Sequence, residues 1–435
     1  MGLLIYRLFL VLYRIGALLI SPWNDKARRW RSGRKDIFQR LEQALGPFDK
    51  LRAGAGVNRP LIWFHCASLG EFEQARPLLE KTRESWPGHR VLLTFFSPSG
   101  YEVRKDYPGA DAVFYLPMDS AANARRLLAI AKPALVCWVK YEYWYYYLKE
   151  INRLRVPLLL VSGIFREEQP FFKRWGGFHR SMLACFTHFF VQTEASRQLL
   201  GTIGISGNVT VSGDTRFDRV VAIAEQFRPV PLVAEFINGA QAIVAGSTWS
   251  DDEEELDHFA NTHPELRFII APHEIDEEHL QEIEKLFHNT VRYSRLETHL
   301  STMAGRRAEG PPVNTLIIDN IGLLSRLYHY AHITYIGGGF GEDGVHNVLE
   351  AAVYAKPVVF GPEYEKYIEA IDLVELGGAL PIENALELEK TLHHLLEDAA
   401  ACREAGEASG KYVYGHTGAT ETIARFIQEN RLLTS

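Results

Sequence analysis

Apolar positions follow two kinds of pattern along this chain. From Leu3 to Ile20 the run is almost unbroken, interrupted only by Arg7 and Arg14. Seven residues is about two helical turns, so the two arginines share one face. A bilayer-spanning helix needs about 20 apolar residues, and an arginine at mid-bilayer is costly. The run therefore predicts a helix lying in the membrane interface, or a short tilted one, with a buried core helix as the alternative. From about residue 60 short apolar runs alternate with polar stretches of helical period. Leu61–His65, Val91–Phe95, Ala112–Leu116, Ala134–Trp138, Pro157–Val161, His188–Val191 and Val209–Val211 read as buried parallel strands. Glu71–Ser85 and Ser120–Ala131 read as helices between them.

Two prolines punctuate Phe227-Arg228-Pro229-Val230-Pro231, a linker signal. The alternation then restarts with Ala242–Ala245, Arg267–Ala271, Thr315–Ile318, His332–Ile336, Pro357–Phe360 and about Ala379–Ile382. Small, charged, Gly/Pro-rich residues over Ser301–Pro312 predict a surface loop. The expected fold class is α/β, with two doubly wound Rossmann-like domains facing a cleft, the GT-B architecture. The expected division is a membrane-associated segment over 1–35, a first domain over 36–228 and a second over 229–418. A final helix over 419–435 is free to pack back on the first domain. Ligands in such sheets bind beyond the carboxyl ends of the strands, so functional residues are sought there.

Composition narrows this picture in three ways. The 435 residues are 47% hydrophobic and 23% charged, ordinary globular values that exclude a disordered chain. Cys66, Cys137, Cys185 and Cys402 form no CxxC pair, which suits a reducing compartment and supplies no metal framework. Charge is uneven: residues 1–40 carry +7 and the remainder −14. The acidic body is no nucleic-acid binder by charge. The basic cluster Lys26-Ala27-Arg28-Arg29-Trp30-Arg31-Ser32-Gly33-Arg34-Lys35 fits an anionic membrane surface and marks a cytoplasmic side. No small-x-small cleavage site follows the apolar run, which argues against a signal peptide.

Candidate chemistry lies just after strands. In Ser68-Leu69-Gly70-Glu71 a loop turns and Glu71 opens a helix, whose amino terminus stabilises a carboxylate. Glu71 is either a first-turn helix acid or a general base for an acceptor hydroxyl. Ser97-Pro98-Ser99-Gly100 offers hydroxyls to an acceptor or merely caps a helix. The stretch from Trp138 to Tyr147 joins dense aromatics to Lys140 and Glu142, suited to a sugar or lipid surface or to packing. In the second half, Gly246-Ser247-Thr248 precedes a helix whose backbone N–H groups can hold phosphate, although the acidic run Asp251–Glu255 opposes an anion. His273 follows a strand and can donate to phosphate. The most specific stretch is Gly337-Gly338-Gly339-Phe340-Gly341 with His346, Asn347 and Glu350. Its glycines allow close approach to a ligand, while Asn347 and Glu350 have capping-box spacing. It is not GxGxxG, so no nicotinamide dinucleotide is implied.

Taken in order, these motifs resemble the 3-deoxy-D-manno-octulosonic acid (Kdo) transferases of lipopolysaccharide synthesis. Tyr115-Leu116-Pro117, Gly213-Asp214-Thr215-Arg216-Phe217-Asp218 and Phe360-Gly361-Pro362 complete the resemblance, which spans about residues 63–365. It implies an inverting transfer of Kdo from CMP-Kdo to a lipid A precursor at the cytoplasmic face of the inner membrane, with no metal or other cofactor. Glu71 would be the base, with Ser68, Gly70, Ser97, Ser99 and Glu142 on the acceptor side. Ser247, Thr248, His273, Gly338, Gly339, His346, Asn347 and Glu350 would hold the donor. His273 stands where the family commonly has arginine, so Arg216 would neutralise phosphate; Lys140 replaces a common acid, leaving Glu142 as the carboxylate. A nucleotide-sugar epimerase and a silent membrane-bound binding module are the competing readings.

Overall fold

In a computed structural model, residues 2–45, 59–303 and 312–433 are described. The chain forms two compact units. The first comprises Met1–Arg219 with Thr417–Ser435, and the second Val220–His416. The division at 219/220 falls inside the helix Thr215–Glu225, ahead of the proline-punctuated stretch.

In the first unit seven parallel strands run in the order β3-β2-β1-β4-β5-β6-β7. They are β1 (Leu61–Cys66), β2 (Arg90–Phe95), β3 (Ala112–Tyr115), β4 (Pro133–Val139), β5 (Leu158–Gly163), β6 (His188–Val191) and β7 (Val209–Val211). Their near-continuous apolar runs suit a sheet covered on both faces. Alternate residues of β1 serve the two faces: Leu61 and Trp63 enter one core, Ile62, Phe64 and Cys66 the other. The carboxyl-terminal helix Ala419–Glu429 belongs to this unit. Ile423 and Ile427 are fully buried in the same core as Ile62, each worth about 1.5–3 kcal/mol of burial. Asp218 fixes its start, accepting from the Gly418 and Thr420 N–H groups at 2.6 Å each.

The second unit repeats the architecture with the order β10-β11-β9-β8-β12-β13-β14, again all parallel. Here β8 is Ala242–Thr248, β9 Arg267–Pro272, β10 Thr290–Arg292 and β11 Thr315–Ile317. The remainder are β12 (Ile333–Ile336), β13 (Val358–Phe360) and β14 (Ala379–Pro381). Two Rossmann-like α/β units of this kind are the GT-B type expected from the pattern. Strand β10 has no counterpart among the expected runs. Of the expected 301–312 loop, Ser301–Met303 instead close the helix Tyr293–Met303; residues 304–311 lie outside the described residues.

The apolar amino-terminal run is the helix Gly2–Ile20, here α1, long and apolar enough to cross a membrane by length and composition. It is not a buried core helix. Only a narrow stripe packs inward, with Leu10 buried and Tyr6 and Ala17 against the first core. Leu4, Ile5, Leu8, Leu12 and Leu19 are exposed. Asp119 fastens the stripe: it accepts from the Tyr6 hydroxyl at 2.6 Å and from the Tyr146 and Tyr147 N–H groups at 3.0 and 3.1 Å.

Candidate active site

In the first unit the strand order reverses between β1 and β4, the switch point where open α/β sheets bind ligands. Past β1 the chain turns at Ser68 into the helix Leu69–Ser85. Ser68 and Glu71 form a capping box: Glu71 Oε2 accepts from the Ser68 N–H at 3.0 Å and from the Ser68 hydroxyl. Glu71 Oε1 has no hydrogen-bond partner among the described residues. A Cβ on Gly70 would meet nothing nearer than Ser68 Oγ at 3.8 Å, so the space beside Glu71 is open.

Two neighbouring loops close on this turn. The Phe96 and Ser97 N–H groups both donate to the Ala67 carbonyl, at 3.2 and 2.8 Å. A Cβ on Gly100 would overlap the Phe95 ring and crowd the Ser68 backbone, so glycine is needed for that approach. Ser97 caps the helix Pro98–Arg104, with its Oγ 3.0 Å from the Ser99 Oγ. After β4, Glu142 is held by the Trp144 indole N–H at 2.8 Å, and its carbonyl by that of Trp138.

The structure adds a residue that the sequence reading left out. His65, fully buried on β1, places Nδ1 2.9 Å from the Thr94 hydroxyl and Nε2 3.5 Å from Glu142. Positions 65 and 94 are paired in the β1–β2 register, and 65 with 138 in β1–β4. Strand register was the signal: the strand ends bring His65, Thr94 and Glu142 together.

Arg216 also lies in this unit. Buried Asp214 accepts from its Nε and backbone N–H, both at 2.9 Å, and from the amides of Gln74 and Gln192 at 2.8 and 2.9 Å. Burial would push the Asp214 carboxyl up, but Arg216, Lys140 and these N–H groups outweigh it and hold it below the usual range. The Tyr141 phenol is raised by burial; Arg166 and Arg216 pull it down while Glu71 and Asp214 push it up. Glu71 and Arg216 are thus both within electrostatic reach of one hydroxyl.

In the second unit the corresponding switch point lies between β8 and β12. Ser247, one residue before the end of β8, is in the left-handed region, φ 56°, a strained conformation for a non-glycine residue. Thr248 is fully buried and its hydroxyl donates to Glu253 at 2.7 Å, so that group is committed to the interior. The acidic run is partly disarmed: Glu253 also meets His279, at 2.9 Å, and Asp252 accepts from the Trp249 and Gly338 N–H groups and the Tyr335 hydroxyl. Gly337 and Gly339 pass against Ser247 and Gly361, where a Cβ would come within 2.4 and 2.6 Å of backbone. Gly338 has φ +90°.

Three rings stack beside this turn. His273 lies 4.7 Å from Trp249 and 4.5 Å from His346, with interplanar angles of 27° and 12°. The Trp249 indole donates to His346 Nε2 at 3.0 Å. Burial, helped by His273, pushes His346 down to about 4, so it is neutral at pH 7. An indole only donates, so Nε2 accepts and the proton sits on Nδ1. Asn347 bonds Glu350 at 3.1 Å, ahead of the four-residue helix Leu349–Ala352. The arrangement offers a partly free carboxylate in one unit and, in the other, a glycine turn with imidazole donors.

Comparison with known proteins agrees with the motif reading. Residues 37–219 match the family model described as 3-deoxy-D-manno-octulosonic-acid transferase. A 3-deoxy-D-manno-octulosonic acid transferase of Rickettsia felis is 26% identical over 368 residues, 82% of this chain and 76% of its own length. A bifunctional glycosyltransferase/methyltransferase of Fusobacterium nucleatum is 27% identical over 86% of this chain, which spans only 55% of that relative. In fold, the chain is similar to a UDP-GlcNAc 2-epimerase from Neisseria meningitidis, with a TM-score of 0.60 at 16% identity, over 85% of this chain and all of that one. The likeness to Kdo transferases holds over most of the chain and indicates a glycosyltransferase.

Proposed function

From this likeness we propose that the chain transfers Kdo from CMP-Kdo to a lipid A precursor at the cytoplasmic face of the inner membrane, by inversion and without a metal. The observation that carries the reading is Glu71, poised after β1 within the matched stretch, with Oε1 uncommitted and open space at Gly70. In this reading Glu71 takes the proton of the acceptor hydroxyl as it attacks the anomeric carbon. Ser68 orients Glu71 through Oε2, while Ser97, Ser99 and Glu142 line the acceptor side. The second-unit turn at Gly338 and Gly339, with Ser247, His273, His346 and Asn347, binds CMP. Imidazole N–H groups stabilise the phosphate as it leaves. Thr248 and Glu350 would support that turn rather than touch the donor.

A lipid acceptor also accounts for α1. Gly2 lies against Phe178, Tyr13 against Trp30 and Phe96, and Ala17 against the first core, so this helix is held on one folded unit from its start to within a turn of its end. A helix about 28 Å long, packed along its length, has only its outer apolar face left for lipid. That supports a helix lying in the interface, with Trp23 exposed just past its carboxyl end. The test is a transfer assay with purified protein, tetra-acylated lipid A precursor and CMP-Kdo made in situ, read by mass spectrometry. A gain of one or more Kdo masses is expected. No gain, with CMP still bound, would overturn the donor–acceptor assignment.

A further inference from the structure

Where α1 meets the basic segment, the first unit holds a cavity of about 1170 Å³. Six cations line it (Arg14, Arg28, Arg31, Arg34, Lys35 and Arg126) against one acid, Asp36. Their commitments differ. Arg28 pairs with Asp25, and Arg126 with Glu42. Arg34 forms the floor: it donates to the carbonyls of Leu116, Trp30 and Phe96 and lies 4.1–4.9 Å from the Trp30, Tyr115 and Phe96 ring centroids. Arg14, Arg31 and Lys35 have no ion pair or hydrogen bond from their side chains among the described residues. Three uncommitted cations thus surround a concave space whose floor is a fixed guanidinium bonded to no carboxylate.

We propose that this cavity binds the phosphate monoester headgroup of a membrane lipid. A monoester carries about −1.5 to −2 at pH 7 and three terminal oxygens, enough for all three free cations. A diester has one charge and only two such oxygens. The lipid source follows from the walls. Leu18 of α1 lines the cavity, and the exposed apolar face of α1 continues from it, a ready bed for acyl chains. Burial pushes Arg34 down to about 9, and Glu142 acts on it in the opposite sense. At that value Arg34 is still charged at pH 7, so it meets an anion in the cavity as a cation. The proposal rests on the in-plane position of α1, and is independent of Kdo transfer.

The test is flotation of the full chain with phosphatidylcholine vesicles at physiological salt. Matched surface charge is supplied either by phosphatidic acid, a monoester, or by phosphatidylglycerol, a diester. Wild type should favour the monoester vesicles about tenfold or more, the effect of one or two charge-assisted hydrogen bonds. Arg31→Ala/Lys35→Ala, both exposed, should abolish that preference while leaving diester binding within a fewfold. Arg14→Gln should reduce it in the same direction. Millimolar inorganic phosphate should not compete. Equal binding of the two vesicles by wild type would overturn the pocket and leave only surface charge. Full competition by inorganic phosphate would overturn the lipid source. Failure to float with any vesicle would overturn the in-plane helix as well.

Discussion

Replacing Glu71 by glutamine separates the two roles that its position allows. As a capping-box residue, Glu71 accepts from the Ser68 N–H at 3.0 Å. Glutamine at that helix position can keep this bond, since its amide oxygen also accepts. What is lost is a charge near the helix amino terminus, about 0.3–1 kcal/mol. For a unit of this size that is about 1–4 °C in Tm. As a general base, by contrast, Glu71 supplies a proton acceptor that glutamine cannot replace, worth about 10²–10⁴ in kcat, or about 2.7–5.4 kcal/mol of barrier. The two scales hardly overlap, and they appear in different measurements. Ser68→Ala makes the reciprocal change: it removes one side of the cap, about 1 kcal/mol, and keeps the base. The assay pairs initial transfer rates at saturating CMP-Kdo with thermal unfolding and CMP affinity for each variant. The expected result is a Glu71→Gln protein that melts near wild type, binds CMP normally and is at least a hundredfold slower. A Glu71→Gln rate within about threefold of wild type would refute the base, leaving a helix cap. An equal loss of CMP affinity would move Glu71 into nucleotide binding.

Gly338→Ala forces a side chain into φ +90° and places its Cβ 2.7 Å from the Gly344 carbonyl oxygen; it should abolish CMP binding in calorimetry while the first unit still melts normally. Unchanged CMP affinity would show that the donor does not use this turn. Because His346 is pushed down to about 4, a phosphate beside it should raise its pKa and draw in a proton. CMP affinity should therefore strengthen from pH 8 to 6, by at most about tenfold per pH unit for one group, and His346→Gln should flatten the profile; equal slopes would refute the contact. Asp119 is raised by burial to about 6 from an ordinary 3.8, so its contribution is fully present below 3.8 and is lost as pH rises through 6. Between pH 3.8 and 7.5 wild type should lose about 3 kcal/mol relative to Asp119→Asn, read from thermal unfolding by near-UV circular dichroism; an unchanged difference would refute it.

The fold was legible because parallel strands buried on both faces leave short apolar runs, and thirteen of fourteen strands do so. Strand β10 does not. Thr290-Val291-Arg292 lies at the sheet edge, and its Arg292 is buried only because Glu277 and Glu284 pair with its guanidinium. No apolar pattern marks a strand stabilised by an ion-pair cluster. Glu71 was legible as a cap because Ser-x-x-Glu is a local spacing, and cap and base remain distinct only in chemistry. The His65–Thr94–Glu142 cluster was hidden for the opposite reason: its members are contiguous only through register across β2, β1 and β4. The stack of Trp249, His273 and His346 is likewise assembled by three separate loops of one unit.

Buried carboxylates do the fastening in both units, which explains why acids sit where anions are expected. Asp252 gathers N–H groups from the loops after β8 and β12, so the acid that seemed to repel a phosphate instead fixes the glycine turn that would receive one. Asp214 does the same in the first unit, drawing in amides from Gln74 and Gln192 and the backbone and guanidinium of Arg216. Asp119 joins Tyr6 of α1 to the start of the helix Tyr145–Arg153. Each satisfies three or more donors, the condition under which a buried charge is tolerable. A formal charge count near a loop therefore misjudges its potential: Asp252, Asp214 and Asp119 are spent internally, and imidazole and backbone N–H groups are left for the loops to present beside the exposed Asp251 and Glu254.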